Sequence, residues 1–339
     1  MKKFYGFTSG LKGYILFAVI ALFGSVQIFA GGGAQSTAPA AVPGGKEQPV
    51  KIRLASTVTS QTHARIAEKL GYFTDEGLDV DFTVFAYGPP EIEAFTAGSL
   101  DIGTVGDLPS YSAIANGVDL VIVGFYSTSD TITGILVRDA ANIKSFADLK
   151  GKKVAVAFGS NNHPLLYQYL DLGGVKESDV EIFNLPLSEQ VSALVTGRID
   201  AVVTSEPRIT QAVQAGGITL LSDTKGIRVF SNPVIAHTAF LKTYPEQAAK
   251  LLRALDKAGR WANANADEAG QLIADITGGS KESQVLAITK AQLDFTLTKE
   301  RVDNFVLGAE LSHKYGLIPE KIDVRSHVDD SFLKAAGVQ

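Results

Sequence analysis

The chain has no cysteine among its 339 residues. That excludes disulfides, a lipid anchor carried on cysteine, and any thiol nucleophile. The folded part has no Gly-x-Ser-x-Gly elbow and no phosphate-loop Gly-Lys-Ser/Thr. Its five histidines are scattered, and no two stand at i, i+3 or i, i+4, so none forms a helical metal pair. His63 and His163 lie near serines, but no third orienting group accompanies them. No catalytic residue, metal or cofactor is expected. Acid is also missing at the start, where Glu47 is the first.

What stands there instead is Lys2, Lys3 and Lys12, then an unbroken apolar run over residues 14–23, then Ile28-Phe29-Ala30. A positive start, a short apolar core and a small residue at the end read as a secretory signal cleaved near Ala30. The alternative is a retained anchor, but the run is short of the ~20 residues that span a bilayer. Residues 31–50 are Gly, Ala, Pro and Ser with almost no large apolar side chain, and read as a flexible leader. Folded sequence begins near Lys51, and the remaining length suits two lobes. The formal charge is −5, and loss of the three lysines of the signal takes it to −8. Such a surface argues against nucleic acid and anionic membranes, though a local site can still be positive.

One pattern occurs twice, about a hundred positions apart: AGSLDIGTVGDLP from Ala97 and TGRIDAVVTSEP from Thr196. Each copy has a small residue, Gly, an aliphatic residue and Asp, followed by a short apolar run. Six residues past that Asp stands a second acid, Asp107 or Glu206, with Pro close behind. A repeated helix–Gly–strand–acidic-loop unit predicts two similar lobes with a cleft between them. The flanking periodicity agrees. Strands are predicted over 50–55, 78–85, 100–105 and 120–125, with helices between, and again over 153–157, 180–184, 199–203 and 218–221. The fold class is α/β, with a mostly parallel sheet in each lobe. Residues 126–138 and 233–240 are the expected crossings between lobes. Helices are predicted over 245–265, 267–276, 281–294 and 299–315, with Trp261 read as core.

In open α/β sheets, ligands sit beyond the carboxyl ends of the strands. That rule selects four loops: 56–62, 105–108, 158–163 and 204–208. Two of them are rich in hydroxyls and amides, with Thr57, Thr59, Ser60, Ser160, Asn161 and Asn162, and open into helices. Free backbone N–H groups and the helix dipole make such loops anion sites, although the same residues are ordinary helix caps. Asp107 and Glu206 would repel an anion; each can cap a helix or accept from an ammonium, a hydroxyl or Arg208. His63 and His163 can donate to an anion or stand as buried helix residues.

Four stretches then carry a resemblance: FAYGPPEIEAFTAGSLDIGTVGDLP from Phe85, ADLKGKKVAVAFGSNNHPLLYQYL from Ala147, GRIDAVVTSEP from Gly197 and YGLIPEKIDVRSHVDDSFLKAAG from Tyr315. The chain resembles the periplasmic substrate-binding proteins of ABC importers in the nitrate/sulfonate/taurine family, most closely the aliphatic-sulfonate binders. The resemblance implies a type II binding protein with a two-strand hinge and a helical tail. Residues 51–131 and 235–339 would form lobe 1, and 132–234 lobe 2. It also implies a periplasmic monomer that hands a small anionic ligand, an alkanesulfonate, to a membrane permease and its ATPase. Taurine, nitrate or bicarbonate, and a heteroaromatic vitamin precursor are the alternative ligands; an enzyme on the same fold is the remaining alternative. The family's anion site falls on Thr57, Ser60, Gly106, Asp107, Ser160, Asn161 and His163, with Glu206 added from the second copy. Sulfonate binders often carry aromatics where this chain has Ser205 and Arg208.

Overall fold

In the computed structural model, which describes residues 50–338, the doubled pattern becomes a doubled sheet. The signal segment and the leader up to residue 49 lie outside the described residues. The first half runs β1 (Lys51–Thr57), α1 (Thr62–Lys69), α2 (Tyr72–Asp75), β2 (Asp79–Phe85), α3 (Gly88–Thr96), β3 (Ile102–Thr104), α4 (Asp107–Ala115) and β4 (Val121–Ser129). The second runs β5 (Thr133–Arg138), β6 (Lys153–Val156), α5 (Asn162–Leu172), β7 (Glu181–Asn184), α6 (Leu187–Val195), β8 (Ala201–Ser205), α7 (Arg208–Gln214) and β9 (Ile218–Asp223). Then come β10 (Phe230–Ala236), α8 (Thr238–Thr243), α9 (Pro245–Ala264), α10 (Ala266–Thr277), α11 (Lys281–Lys290), α12 (Lys299–Lys314) and α13 (Ser331–Ala336).

The strand orders are β2-β1-β3-β10-β4 and β7-β6-β8-β5-β9. In each sheet the βαβ run supplies the parallel pairs, β1 with β2 and β3, and β6 with β7 and β8. The strand that has just crossed from the other lobe inserts antiparallel, β10 between β3 and β4, and β5 between β8 and β9. Each sheet is therefore mixed. The crossings are short, at residues 130–132 and 224–229. β10 pairs in the first sheet from Phe230 onward, and its register slips at Asn232/Pro233, where proline has no N–H to give.

The repeated residues have plain structural tasks. Gly98 and Gly197 adopt φ of 71° and 75° just past α3 and α6, a left-handed turn that favours glycine. Asp101 accepts the Arg53 backbone N–H at 2.8 Å, and Asp200 accepts that of Lys153 at 3.1 Å. Each aspartate thus ties the start of one strand to its parallel neighbour, and each also binds an arginine, Arg53 or Arg138.

Alternate strand residues feed opposite faces, so each sheet has apolar packing on both sides. Ile52 and Leu54 pack with α1 and α9, whereas Ala55 packs with Leu108 and Tyr111 of α4 and Phe305 of α12. Val154 and Val156 meet Leu165 and Tyr169 of α5, while Ala155 meets Leu194 of α6 and Ile209 of α7. Trp261 is half-buried against the first of these clusters. α11 stops at Lys290, short of the 294 expected from periodicity. Beyond it the chain runs beside β4, with the Gln292 N–H donating to the Thr128 carbonyl at 2.9 Å.

One buried acid is at odds with this packing. Glu91 on α3 is 0 % exposed and neither carboxyl oxygen has a hydrogen-bond partner. It fits because Gly103 has no side chain; a Cβ there would lie 2.5 Å from Oε1. Burial pushes the Glu91 pKa well above its ordinary value, so the carboxyl stays protonated in the folded protein. Above about pH 4.5 the unfolded chain releases this proton and the folded one does not, so stability is lost as pH rises. Glu91→Met should therefore gain stability over the parent as pH rises from about 4.5 to 7, with a slope approaching ~1.4 kcal/mol per pH unit. Urea unfolding at several pH values measures it; a pH-independent difference would show that Glu91 is ionised in the fold.

Candidate functional site

The carboxyl ends of β1, β3, β6 and β8 face one cleft, together with the starts of the antiparallel strands β5 and β10, and the helices that follow the parallel strands begin there. The cleft holds two chambers. The smaller, about 60 Å³, is lined by Thr57, Thr59, Gly88, Gly106, Ser160 and Asn161 among others. The larger, about 220 Å³, runs from Thr59, Ser60 and Gln61 past Ser205 to an apolar end on α10 and α11. A water needs roughly 10–15 Å³ of such space, so the smaller chamber admits a compact headgroup. Thr59, Tyr126, Asn161, Ser205 and Arg208 line both.

The starts of α1, α3, α4 and α5 all reach this cleft, and none is capped by its own N-cap side chain. The positive ends of these helix dipoles therefore converge on it, although Pro89, Pro90, Pro109 and Pro164 remove some of the first-turn N–H groups. In the β1–α1 loop, Ser60 Oγ accepts the Thr57 N–H at 2.8 Å and donates to the Thr104 carbonyl at 2.7 Å. That closes the loop in a fixed shape. Across the cleft, Asn161 Nδ2 donates to Asn232 Oδ1 at 2.7 Å and joins the lobes. Gly106 makes room for this contact, since any side chain there would overlap Asn161.

Of the eight residues singled out from sequence, Thr57, Gly106, Ser160 and Asn161 line the smaller chamber. Ser60, Asn161 and Glu206 line the larger. Asp107 and His163 line neither. The Asp107 carboxylate is turned away into an ion pair with Arg228, whose side chain is 3 % exposed. Asp107 Oδ1 also accepts the Leu108 N–H at 2.7 Å. Burial raises the Asp107 pKa against the opposing pull of Arg228. His163 lies flat against Phe158, with 4.4 Å between ring centroids, and burial lowers its pKa to about 4. It is neutral at physiological pH and faces packing, not the cleft. Glu206 is fully used: Oε1 takes Lys290 Nζ at 2.6 Å and Oε2 accepts the Thr210 N–H at 3.1 Å.

Four further residues bear on the cleft. Arg208 lines both chambers. Its Nε donates to the Leu187 carbonyl at 3.1 Å, its Nη1 is buried without a partner, and burial lowers its pKa to about 10. It keeps its charge at neutral pH. Asn232 and Arg228 come from β10 and the second crossing, and no local sequence signal marks them as close to the cleft. His63 lines the larger chamber, sandwiched edge-on by Tyr126 and Phe295, and is neutral with a pKa lowered by burial to about 3.

Two α/β lobes, joined by two crossings around a ligand-sized cleft of helix N-termini, make a two-lobe binding-protein fold. The chain belongs to the NMT1/THI5-like family, whose pattern matches residues 59–269. A protein of Bacillus subtilis (strain 168), named for binding aliphatic sulfonates, is 30% identical over 278 residues, covering 80% of this chain and 83% of that one. The alkanesulfonate-binding protein of Xanthomonas axonopodis pv. citri, solved with MOPS bound, superposes with a TM-score of 0.76 at 22% identity, covering 84% and 99% of the two chains. A desulfurization enzyme shares the fold at a TM-score of 0.68 and 16% identity, covering 84% of this chain and 98% of that one.

The Asp107–Arg228 pair is buried on both sides and links α4 to the second crossing. Removing one member leaves the other charge stranded in the interior, at a cost of about 3–5 kcal/mol. Arg228→Met should lose stability in that range, and adding Asp107→Asn should restore part of it. Chemical denaturation of the two variants tests this; a double variant no more stable than the single would mean the pair is not the cause.

Proposed function

We propose that this protein is the solute receptor of an ABC importer and binds a small organic anion, an alkanesulfonate, in the inter-lobe cleft. The observation that carries this reading is the Arg208 guanidinium. It is charged, it lines both chambers, and its Nη1 has no partner. A buried donor left unpaired is costly, and an anion in the cleft would satisfy it. The helix N-termini around it favour the same charge, and Thr57, Thr59 and Ser160 add hydroxyls.

The relatives named for sulfonate binding support the ligand class. In this reading the first lobe and the second close on the ligand, because only the closed form lets it touch both. The receptor is exported to the periplasm as a monomer and meets a membrane permease with its ATPase. Among the described residues, no helix is long and apolar enough to cross a membrane. An enzyme on this fold is disfavoured because the two acids nearest the cleft are held in ion pairs and the chain has no cysteine.

The test is a thermal-shift panel of alkanesulfonates, taurine, nitrate, bicarbonate and an aminopyrimidine. A ligand at about 100 times its Kd adds ~2.7 kcal/mol, a rise of several °C at this size. Alkanesulfonates should give the largest shift, and Arg208→Met should abolish it while leaving the unliganded melting point close to the parent's. Ligand recovered after denaturation should be unchanged. A panel with no sulfonate response, or recovered product, would sink the reading.

A further inference from the structure

The larger chamber has a polar end and an apolar end. The apolar end is built from Ile273, Ala287, Ile288, Ala291 and Leu293 on and beside the α10–α11 hairpin. These residues fall after residue 269, where the family pattern stops. A ligand whose anionic head meets Arg208 and the helix N-termini would lay its tail against them. The charge the tail can carry follows from the walls. Among the described residues, Glu206 is the only carboxylate lining either chamber. Its side chain is 0% exposed and both of its oxygens are taken, by Lys290 Nζ and the Thr210 N–H. Asp107 is bound to Arg228 instead. The remaining titratable groups on the walls are Arg208, the phenols of Tyr87 and Tyr126, and the neutral imidazole of His63. An ammonium entering this space loses its water and finds no negative partner.

Resting on the sulfonate reading above, we propose that the cleft selects tails without positive charge, alkyl or aryl rather than aminoalkyl sulfonates, and that Lys290 sets this preference by occupying Glu206. Lys290 acts here as a specificity residue from α11, reaching across to the second lobe. It supplies the positive charge that an aminoalkyl ligand would otherwise bring. The hairpin is fastened to the second lobe at a further point, where Gln214 Nε2 donates to Glu282 Oε2 at 2.6 Å. The lysine is therefore held in place, not merely near.

Butane-1-sulfonate and 3-aminopropane-1-sulfonate have tails of equal length and differ in charge. Isothermal titration of ligand-free protein should find the first tighter by on the order of 100-fold, the scale of an unpaired buried charge. Lys290→Ala opens Glu206 to the chamber and should narrow that ratio at least about tenfold, through stronger binding of the aminosulfonate. The double variant Glu206→Gln/Lys290→Ala removes both charges and should return the preference for the uncharged tail. Equal affinities in the parent overturn the proposal. So does an unchanged ratio in Lys290→Ala, or a double variant that accepts the aminosulfonate as well as the single one does. If the parent binds neither sulfonate, the sulfonate reading itself falls and takes this proposal with it. Sulfonate binding without discrimination removes the tail selectivity alone.

Discussion

Each half of the doubled pattern ends in an acid beside the cleft, and each acid is tied to a cation from a distant part of the chain. Asp107 is paired with Arg228 from the second crossing, and Glu206 with Lys290 from α11. The rest of the site depends on these two pairs. A cleft with two free carboxylates facing a ring of helix N-termini would be electrostatically self-satisfied and would repel an anion. With both acids neutralised, the dipoles and Arg208 set the local sign, in a protein whose formal net charge is −5. The pairs are weak arguments for stability, since taking both charges out of water offsets most of their attraction. Their effect is on position and sign. Each also joins segments far apart in sequence, so the field in the cleft exists only when the lobes and the helical tail are assembled.

The strand exchange explains why those cations arrive where they do. β5 and β10 each leave one sheet's chain segment and insert antiparallel into the other sheet, at equivalent places in the two strand orders. The two crossings therefore lie side by side beneath the cleft. Arg228 sits on one of them, and Asn232 follows immediately in β10, donating to Ser127 Oγ of β4 at 3.1 Å while accepting from Asn161 of the second lobe. A single short stretch, 228–232, thus touches α4, β4 and α5.

Much of this was visible in the residues. The glycine and aspartate of the repeat named the helix ends and strand starts correctly because those tasks are local: a left-handed turn at Gly98 or Gly197, and a side chain reaching the next strand's N–H. The strand-end rule selected loops that do converge on one cleft, since parallel order forces their ends to one side. What could not be read were pairings across a hundred residues. Asp107 and Glu206 look alike in sequence, but their partners, Arg228 and Lys290, carry no local mark. His163 has the right place in its loop, yet Phe158, five residues before it, covers its face. Arg208 had every local reason to face water; the second lobe's own Leu187 carbonyl turns it inward.

The asymmetry between the copies is thus the informative part of the repeat. The first copy places glycine at Gly106, so that Asn161 can approach and the lobes can meet without a side chain between them. The second places Ser205 and Arg208 at the corresponding rim, where the sulfonate binders it resembles often carry aromatics. Ser205 Oγ donates to Asn162 Oδ1 at 3.1 Å and fixes the start of α5. Arg208 lines both chambers and brings a charge that an aromatic ring lacks. An aromatic wall grips a ligand by its tail through area; a guanidinium between two chambers grips it by its head through charge. The apolar area then has to come from elsewhere, and the α10–α11 hairpin is the element that supplies it.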